Sequence, residues 1–188
     1  MMRDKNIVVA ILVGSMLALA ACGGVKQADQ NESAAEAVTE TTVEMPNPWH
    51  DTADLEEAKK GSGVDYEPPV ENSLPEGFSL STYRYTDEIF EAVYNKGDEE
   101  LVIRVSTTRS GLELSGDYNK YSKEWEENFK GLVVKCHGDG TLSNCSYADR
   151  EDIHFAVSYN LGEEGKGLSE EQLKSLFMGM QAMPLESK

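Results

Sequence analysis

Alternation of apolar and polar residues in a series of short segments is the feature that most constrains the fold of this chain. The segments are residues 78–85, 89–94, 101–105, 132–136, 142–147 and 153–159. A period of two places successive side chains on opposite faces of a strand, so one face can be buried while the other meets solvent. Short turns rich in Gly and Asn, such as Asn95-Lys96-Gly97-Asp98, join several of these segments. The pattern predicts an antiparallel meander sheet.

The alternation also predicts which side chains share a face. In the first strand we expect Phe78 and Leu80 on one side and Tyr83 and Tyr85 on the other. The last strand places four apolar residues on one face: Ile153, Phe155, Val157 and Tyr159. Residues 106–116 are predicted to form a loop. Residues 117–129 are predicted to continue as a loop with an edge strand, although their aromatic spacing would also suit a helix.

A helix is predicted to close the domain. Ser169 and Gln172 have the spacing of a capping box, and Leu168 and Leu173 occupy the two positions of a hydrophobic staple. Apolar residues then recur at helical spacing, which gives one stripe for packing on the sheet: Leu173, Leu176, Phe177 and Met180.

A shorter helix is predicted near the start of the domain. Asp51 or Thr52 is its expected N-cap, and Gly61 and Gly63 are expected to end it. The fold class is therefore predicted to be α+β, with an antiparallel meander sheet, a C-terminal helix packed on it and a short N-terminal helix.

The first residues have the pattern of an export signal. Arg3 and Lys5 precede an apolar run over residues 7–19, which is too short to span a bilayer. Leu19 ends the run and is followed by Ala20, Ala21 and Cys22. This segment resembles the lipobox of bacterial lipoproteins. The resemblance implies diacylglycerol on the Cys22 thiol and cleavage after Ala21; the alternative is an uncleaved helical anchor.

These features divide the chain into four parts. We expect a signal peptide at 1–21, a lipidated cysteine and disordered acidic tether at 22–46, one extracytoplasmic domain at 47–183 and a tail at 184–188. The formal net charge is −17, and removal of the leader makes the mature chain more negative still. Such a surface is repelled by phosphate backbones, so no nucleic-acid partner is expected.

Two cysteines remain once Cys22 is assigned to lipid. If a hairpin turns at Gly140-Thr141, Cys136 and Cys145 lie directly opposite each other, within reach of a disulfide. We therefore predict that they form a disulfide. Two free thiols remain an alternative, and so does metal ligation with His154, although the spacing is not that of a zinc knuckle. No metal and no cofactor are predicted.

No residue pattern in the chain indicates catalysis. Cys136 and His137 are strand neighbours and point to opposite faces, so they cannot form a catalytic dyad. Ser115-Gly116-Asp117 lacks the strand and helix that flank a hydrolase serine. Five aromatic residues could line a ligand groove, with ordinary core and edge packing as the alternative: Trp49, Tyr83, Tyr85, Tyr94 and Trp125.

Several short motifs resemble a family of unknown function found in surface lipoproteins and membrane-anchored proteins of Gram-positive bacteria. They are Asn47-Pro48-Trp49, Glu57-Ala58 through Gly63, Val64-Asp65-Tyr66, Glu91-Ala92-Val93-Tyr94, Val102-Ile103-Arg104 and Ser115-Gly116-Asp117-Tyr118-Asn119. The resemblance extends from Asn47 to the final helix. It implies an α+β domain outside the membrane and supplies no catalytic residues.

The preferred functional interpretation is a lipid-anchored, non-enzymatic binding or sensing module at the cell surface. The expected partners are the membrane, through lipid on Cys22, and a protein or envelope component that the sequence does not identify. The domain is expected to be a monomer. The alternative is a carrier lipoprotein that holds an apolar ligand or cell-wall fragment between sheet and helix.

Overall fold

The computed structural model of the protein describes residues 47–160 and 167–181. The predicted lipobox, tether and tail lie outside these residues. The strands and α-helices in chain order are β1 (His50–Thr52), α1 (Leu55–Ser62), β2 (Ser79–Tyr85), β3 (Ile89–Lys96), β4 (Glu99–Ser106), α2 (Gly111–Ser115), β5 (Lys123–Phe129), β6 (Leu132–Gly138), β7 (Ser143–Arg150), β8 (Ile153–Asn160) and α3 (Glu170–Gln181). A short 3-10 helix at Glu71–Ser73 precedes β2. None of the helices within this part of the chain is both long and apolar enough to cross a membrane.

The strands form one antiparallel sheet in the order β1-β2-β3-β4-β8-β7-β6-β5. The chain builds strands β1 to β4 as one meander and passes through α2 to the far edge of the sheet. It then returns as a second meander, which ends with β8 paired to β4. The predicted antiparallel meander is confirmed, and the mixed fold is mostly sheet.

One face of the sheet holds the main hydrophobic core, and α3 packs there. Buried residues of this core come from every strand from β2 to β8, including Phe90, Ile103 and Phe155. The α3 stripe is at most 2% exposed at each position: Leu173, Leu176, Phe177 and Met180. The capping box is confirmed, because the Ser169 backbone N–H donates to Gln172 Oε1 at 2.9 Å and the Gln172 N–H to Ser169 Oγ at 3.4 Å.

Helix α1 begins later than the sequence pattern predicts. Its N-cap is Asp54, whose Oδ1 accepts the backbone N–H groups of Glu56 at 2.9 Å and Glu57 at 3.2 Å. The prediction of Asp51 or Thr52 was wrong because these residues belong to β1, which pairs with β2. The helix ends before Gly63, as expected, and Gly63 adopts the left-handed conformation with φ of 69°.

A bulge in β2 overturns the predicted faces of the first strand. Leu80 pairs with Tyr94 but Thr82 pairs with Val93, so Ser81 is an additional residue in β2. The extra residue resets the alternation, and Phe78 and Tyr83 both lie in the same core. The prediction that they point to opposite sides was wrong.

The segment between the two meanders is partly helical. Residues 111–115 form α2 where the sequence predicted a loop, whereas β5 is the predicted edge strand. Leu114 is fully buried. Helix α2 packs against β4, β7 and β8 and so covers the centre of the second face of the sheet. This second face contains the candidate site.

Candidate binding site

A row of alternating charges crosses the second face of the sheet. Asp51, Arg84, Glu91 and Arg104 are in register on the neighbouring strands β1, β2, β3 and β4. Side chains at directly opposed positions of adjacent strands are near enough to interact. The register therefore places Glu91 between two arginines.

Glu91 is a fully buried carboxylate shared by those two arginines. Its Oε1 accepts a hydrogen bond from Nε of Arg84, and its Oε2 accepts one from Nε of Arg104 at 2.5 Å. A buried charge needs both a counter-ion and hydrogen bonds, because the desolvation cost is several kcal/mol per ion. The shared carboxylate satisfies this need and fixes the positions of both guanidinium groups.

Arg104 also binds the C-terminal end of α2. Its Nη1 donates to the carbonyl oxygen of Ser115 at 2.6 Å and to that of Leu114 at 3.4 Å. Gly116 follows with φ of 63°, and a Cβ atom there would lie 2.1 Å from Nη1 of Arg104. Only glycine combines this conformation with such a close approach to the guanidinium group. Arg104 thus joins α2 to the sheet.

Trp49 covers the two arginines. The guanidinium carbon of Arg104 lies 4.9 Å from the centre of the Trp49 ring, and that of Arg84 lies 5.8 Å from it. Both distances are within the range of cation–π attraction. The Trp49 ring therefore covers part of both guanidinium groups.

A cavity of about 340 Å³ opens beside these guanidinium groups. Strands β2, β4 and β8 and the segment after α2 form its walls, and its lining includes Arg84, Arg104, Glu100, Asn160, Asp117 and Tyr118. We call it the arginine pocket. Its volume is at the lower end of the range for small-molecule sites, which suits a compact ligand.

Sequence reasoning did not identify the arginine pocket as a site. The available signal was a charged residue between apolar neighbours in a strand, as at Phe90-Glu91-Ala92 and Ile103-Arg104-Val105. Glu91 and Arg104 both belong to motifs on which the family resemblance is based, but the resemblance gives no reason to pair them. Their pairing depends on strand register, which the sequence pattern does not reveal.

The predicted disulfide between Cys136 and Cys145 was wrong, since both thiols are free. Cys136 pairs with Ser146, and Cys145 pairs with His137, so the two cysteines point to opposite faces of the sheet. Cys136 belongs to the main core, and Cys145 is buried on the second face.

The cause is a second bulge. Gly138 pairs with Ser143, as a turn at Gly140-Thr141 requires. The register then shifts by one residue between Gly138 and His137. Asn144 is the additional residue in β7 at this point. A shift of one residue moves every later side chain to the other face, so Cys145 turns away from Cys136.

Neither thiol is poised for nucleophilic or metal chemistry. Burial raises the pKa of Cys136 to about 11 and that of Cys145 to about 11, so both are protonated at neutral pH. Cys136 and His137 lie on opposite faces, as predicted. Within residues 47–160 and 167–181, no group of three or more His, Cys, Asp or Glu side chains is placed to bind a metal ion.

The five aromatic residues considered for a ligand groove do not meet in one. Tyr83 and Tyr94 are buried in the main core, and Tyr85 and Trp125 pack against it. Trp49 lies on the second face, over the arginines. The groove interpretation is therefore wrong, and Trp49 is the member that borders the candidate site.

Two larger hollows have no comparable charge arrangement. One of about 680 Å³ includes Arg109, which is exposed and paired with Glu88 and Glu113. The other, of about 650 Å³, lies at the start of α3 beside Trp125 and Glu127. Neither contains a buried charge that fixes its polar groups, so the arginine pocket is the better candidate.

Comparisons of the chain with known protein families, with curated proteins and with solved structures find no match. The resemblance to the family in Gram-positive surface lipoproteins therefore stays a prediction. Residues from three of the motifs that suggested it nevertheless meet at one place, namely Trp49, Glu91 and Arg104, with a fourth motif, Ser115 to Asn119, beside them.

Proposed function

We propose that this protein is a lipid-anchored extracytoplasmic binding module that takes a small polar ligand in the arginine pocket and performs no catalysis on it. The observation that carries the proposal is the pair of guanidinium groups held at the pocket by one buried carboxylate. Polar groups fixed before binding cost little to order when a ligand arrives. The lipobox supports the anchor, and the pocket supports the binding role.

Packing of the main core favours this role over that of an apolar carrier. A carrier would need an enclosed apolar cavity between the sheet and α3. The inward-facing residues of α3 are instead packed in the core, and Phe177 is fully buried there. The arginine pocket lies on the other face of the sheet, among charged side chains.

The anchor is tested by replacing the lipidated cysteine. We expect Cys22→Ala to abolish labelling by radioactive fatty acid and to release the protein from membranes or leave its leader uncleaved, since two acyl chains give stable attachment. The measurement is membrane fractionation together with labelling. Cys136→Ala is the matched control and should still be labelled. Unchanged labelling of Cys22→Ala would rule out this anchor.

The binding role is tested by retention of small molecules. Purified full-length protein is incubated with the small-molecule fraction of a cell-envelope extract, and retained compounds are measured by mass spectrometry after ultrafiltration. We expect the wild type to retain at least one compound. Arg84→Met should retain at least tenfold less of that compound, because a charged hydrogen bond contributes about 1.5–3 kcal/mol. Arg109→Met, at an exposed arginine outside the pocket, should retain it. Equal retention profiles for all three proteins would refute the binding role.

A further inference from the structure

The arginine pocket has charges of opposite sign at its two ends. Arg104 and Glu100 both line it and lie four residues apart on the same face of β4. At 3.2–3.4 Å per residue, their Cα atoms are roughly 13 Å apart. Val102 lies between them and is only 4% exposed. A ligand along β4 would therefore meet guanidinium groups at one end and a carboxylate at the other.

Both ends have polar atoms that remain available to a ligand. Nε of Arg84 is used by Glu91, but among the described residues its Nη nitrogens donate no hydrogen bond, and its side chain is 32% exposed. At the other end, Oε1 of Glu100 accepts from Nδ2 of Asn160 at 3.2 Å. This bond orients the carboxylate, while the second oxygen of Glu100 can accept from a ligand.

The charge balance disfavours a simple anion. Arg84 and Arg104 are outnumbered by the carboxylates of Glu91, Glu100 and Asp117 in or directly behind the pocket. An anion would gain at the arginine end but would be repelled by the other carboxylates. A ligand with a negative group at one end and a positive group at the other matches both ends.

We propose that the arginine pocket binds a short peptide of two or three residues with both termini free. Its C-terminal carboxylate would accept from the guanidinium of Arg84, and its N-terminal ammonium would donate to Glu100. An extended tripeptide spans at most about 10–11 Å. Arg84 lies on β2, two strands from Glu100 and four residues along the sheet, so their Cα atoms are roughly 16 Å apart. The side chains of Arg84 and Glu100, with a hydrogen bond at each end, make up the difference. The exposed ring of Tyr118, at 76%, lies at the rim and can pack against the peptide.

This inference rests on the proposed binding role, and its test uses blocked peptides. Isothermal titration of the full-length protein with trialanine, N-acetyl-trialanine and trialanine amide measures each end separately. Trialanine is expected to bind, and blocking either end should weaken binding about tenfold to a hundredfold, as loss of one charged hydrogen bond implies. The inference is overturned if either blocked peptide binds as tightly as trialanine, or if none binds.

Variants assign each end to a residue. Glu100→Gln should lower the affinity for trialanine about tenfold or more. It should leave the affinity for N-acetyl-trialanine unchanged, because that peptide has no ammonium group for Glu100 to bind. Arg84→Met should likewise lower the affinity for trialanine but not the affinity for trialanine amide, which has no C-terminal carboxylate. Glu76→Gln, at an exposed carboxylate outside the pocket, is the control. Thermal unfolding of each variant verifies that it is folded, and the blocked peptides test the same contacts without any substitution.

The two levels of the proposal fail in different ways. If the wild type retains a compound from the envelope extract that Arg84→Met loses, yet binds no peptide, the peptide inference is wrong and the binding role stands. If no compound is retained and no peptide binds, both are wrong.

Discussion

Replacing Glu91 with glutamine is expected to lower the free energy of unfolding by about 3–5 kcal/mol. Glu91 is fully buried between Arg84 and Arg104, and the substitution removes the negative charge that both of their Nε groups contact. Two guanidinium groups would then face each other with a neutral amide between them. The loss is measured from urea unfolding followed by circular dichroism. Glu126→Gln, on an exposed position of β5, should change stability by no more than about 0.5 kcal/mol.

A triple variant separates stability from binding. Glu91→Leu with Arg84→Leu and Arg104→Met removes all three charges, and apolar replacement of a buried ion network is often neutral or stabilising. It should recover at least half of the stability lost in Glu91→Gln, although the carbonyl groups of Leu114 and Ser115 lose their donor. It should also lose ligand retention. If the triple variant is as unstable as Glu91→Gln, the network serves stability, and its value as evidence for a binding site is removed.

Two local signals in the sequence predicted local structure correctly. The Ser169 and Gln172 capping box depends on residues three positions apart, and the structure has both of its hydrogen bonds. The meander was predictable for a similar reason, because each hairpin is formed by neighbouring segments joined by a short turn.

Two of the errors arose where one extra residue changed the register. The turn at Gly140-Thr141 was placed correctly, but Asn144 in β7 moved Cys145 to the other face. Ser81 did the same to β2 and brought Phe78 and Tyr83 into one core. A bulge leaves little trace in the alternation of apolar residues, since both faces of this sheet are partly buried. Predictions that depended on parity across a bulge therefore failed.

The candidate site depends on contacts that are distant in sequence. Arg84, Glu91 and Arg104 lie on three strands, and Trp49 reaches them from the segment before β1. In the sequence, each of these residues is an ordinary charged or aromatic residue and does not by itself indicate a site. Only the register of β2, β3 and β4 shows that one buried carboxylate serves two arginines.

Replacing Phe177 with alanine is expected to lower the free energy of unfolding by about 3–5 kcal/mol, because the ring is fully buried and its removal leaves a cavity under α3. The measurement is again urea unfolding. Lys174→Ala, on the exposed side of the same helix, is the control and should stay within about 0.5 kcal/mol of the wild type. A small effect at Phe177 would contradict the packing of α3 on the sheet.

Phe177→Ala also tests which face of the sheet binds the ligand. The arginine pocket is on the second face of the sheet, whereas Phe177 packs on the first. Under conditions where Phe177→Ala is still folded, as near-ultraviolet circular dichroism would verify, it should therefore bind trialanine as tightly as the wild type. A ligand held between sheet and helix would instead contact the cavity that the substitution creates, and its affinity would change. Unchanged affinity in Phe177→Ala, together with lost affinity in Arg84→Met, would assign binding to the arginine pocket and exclude the carrier role.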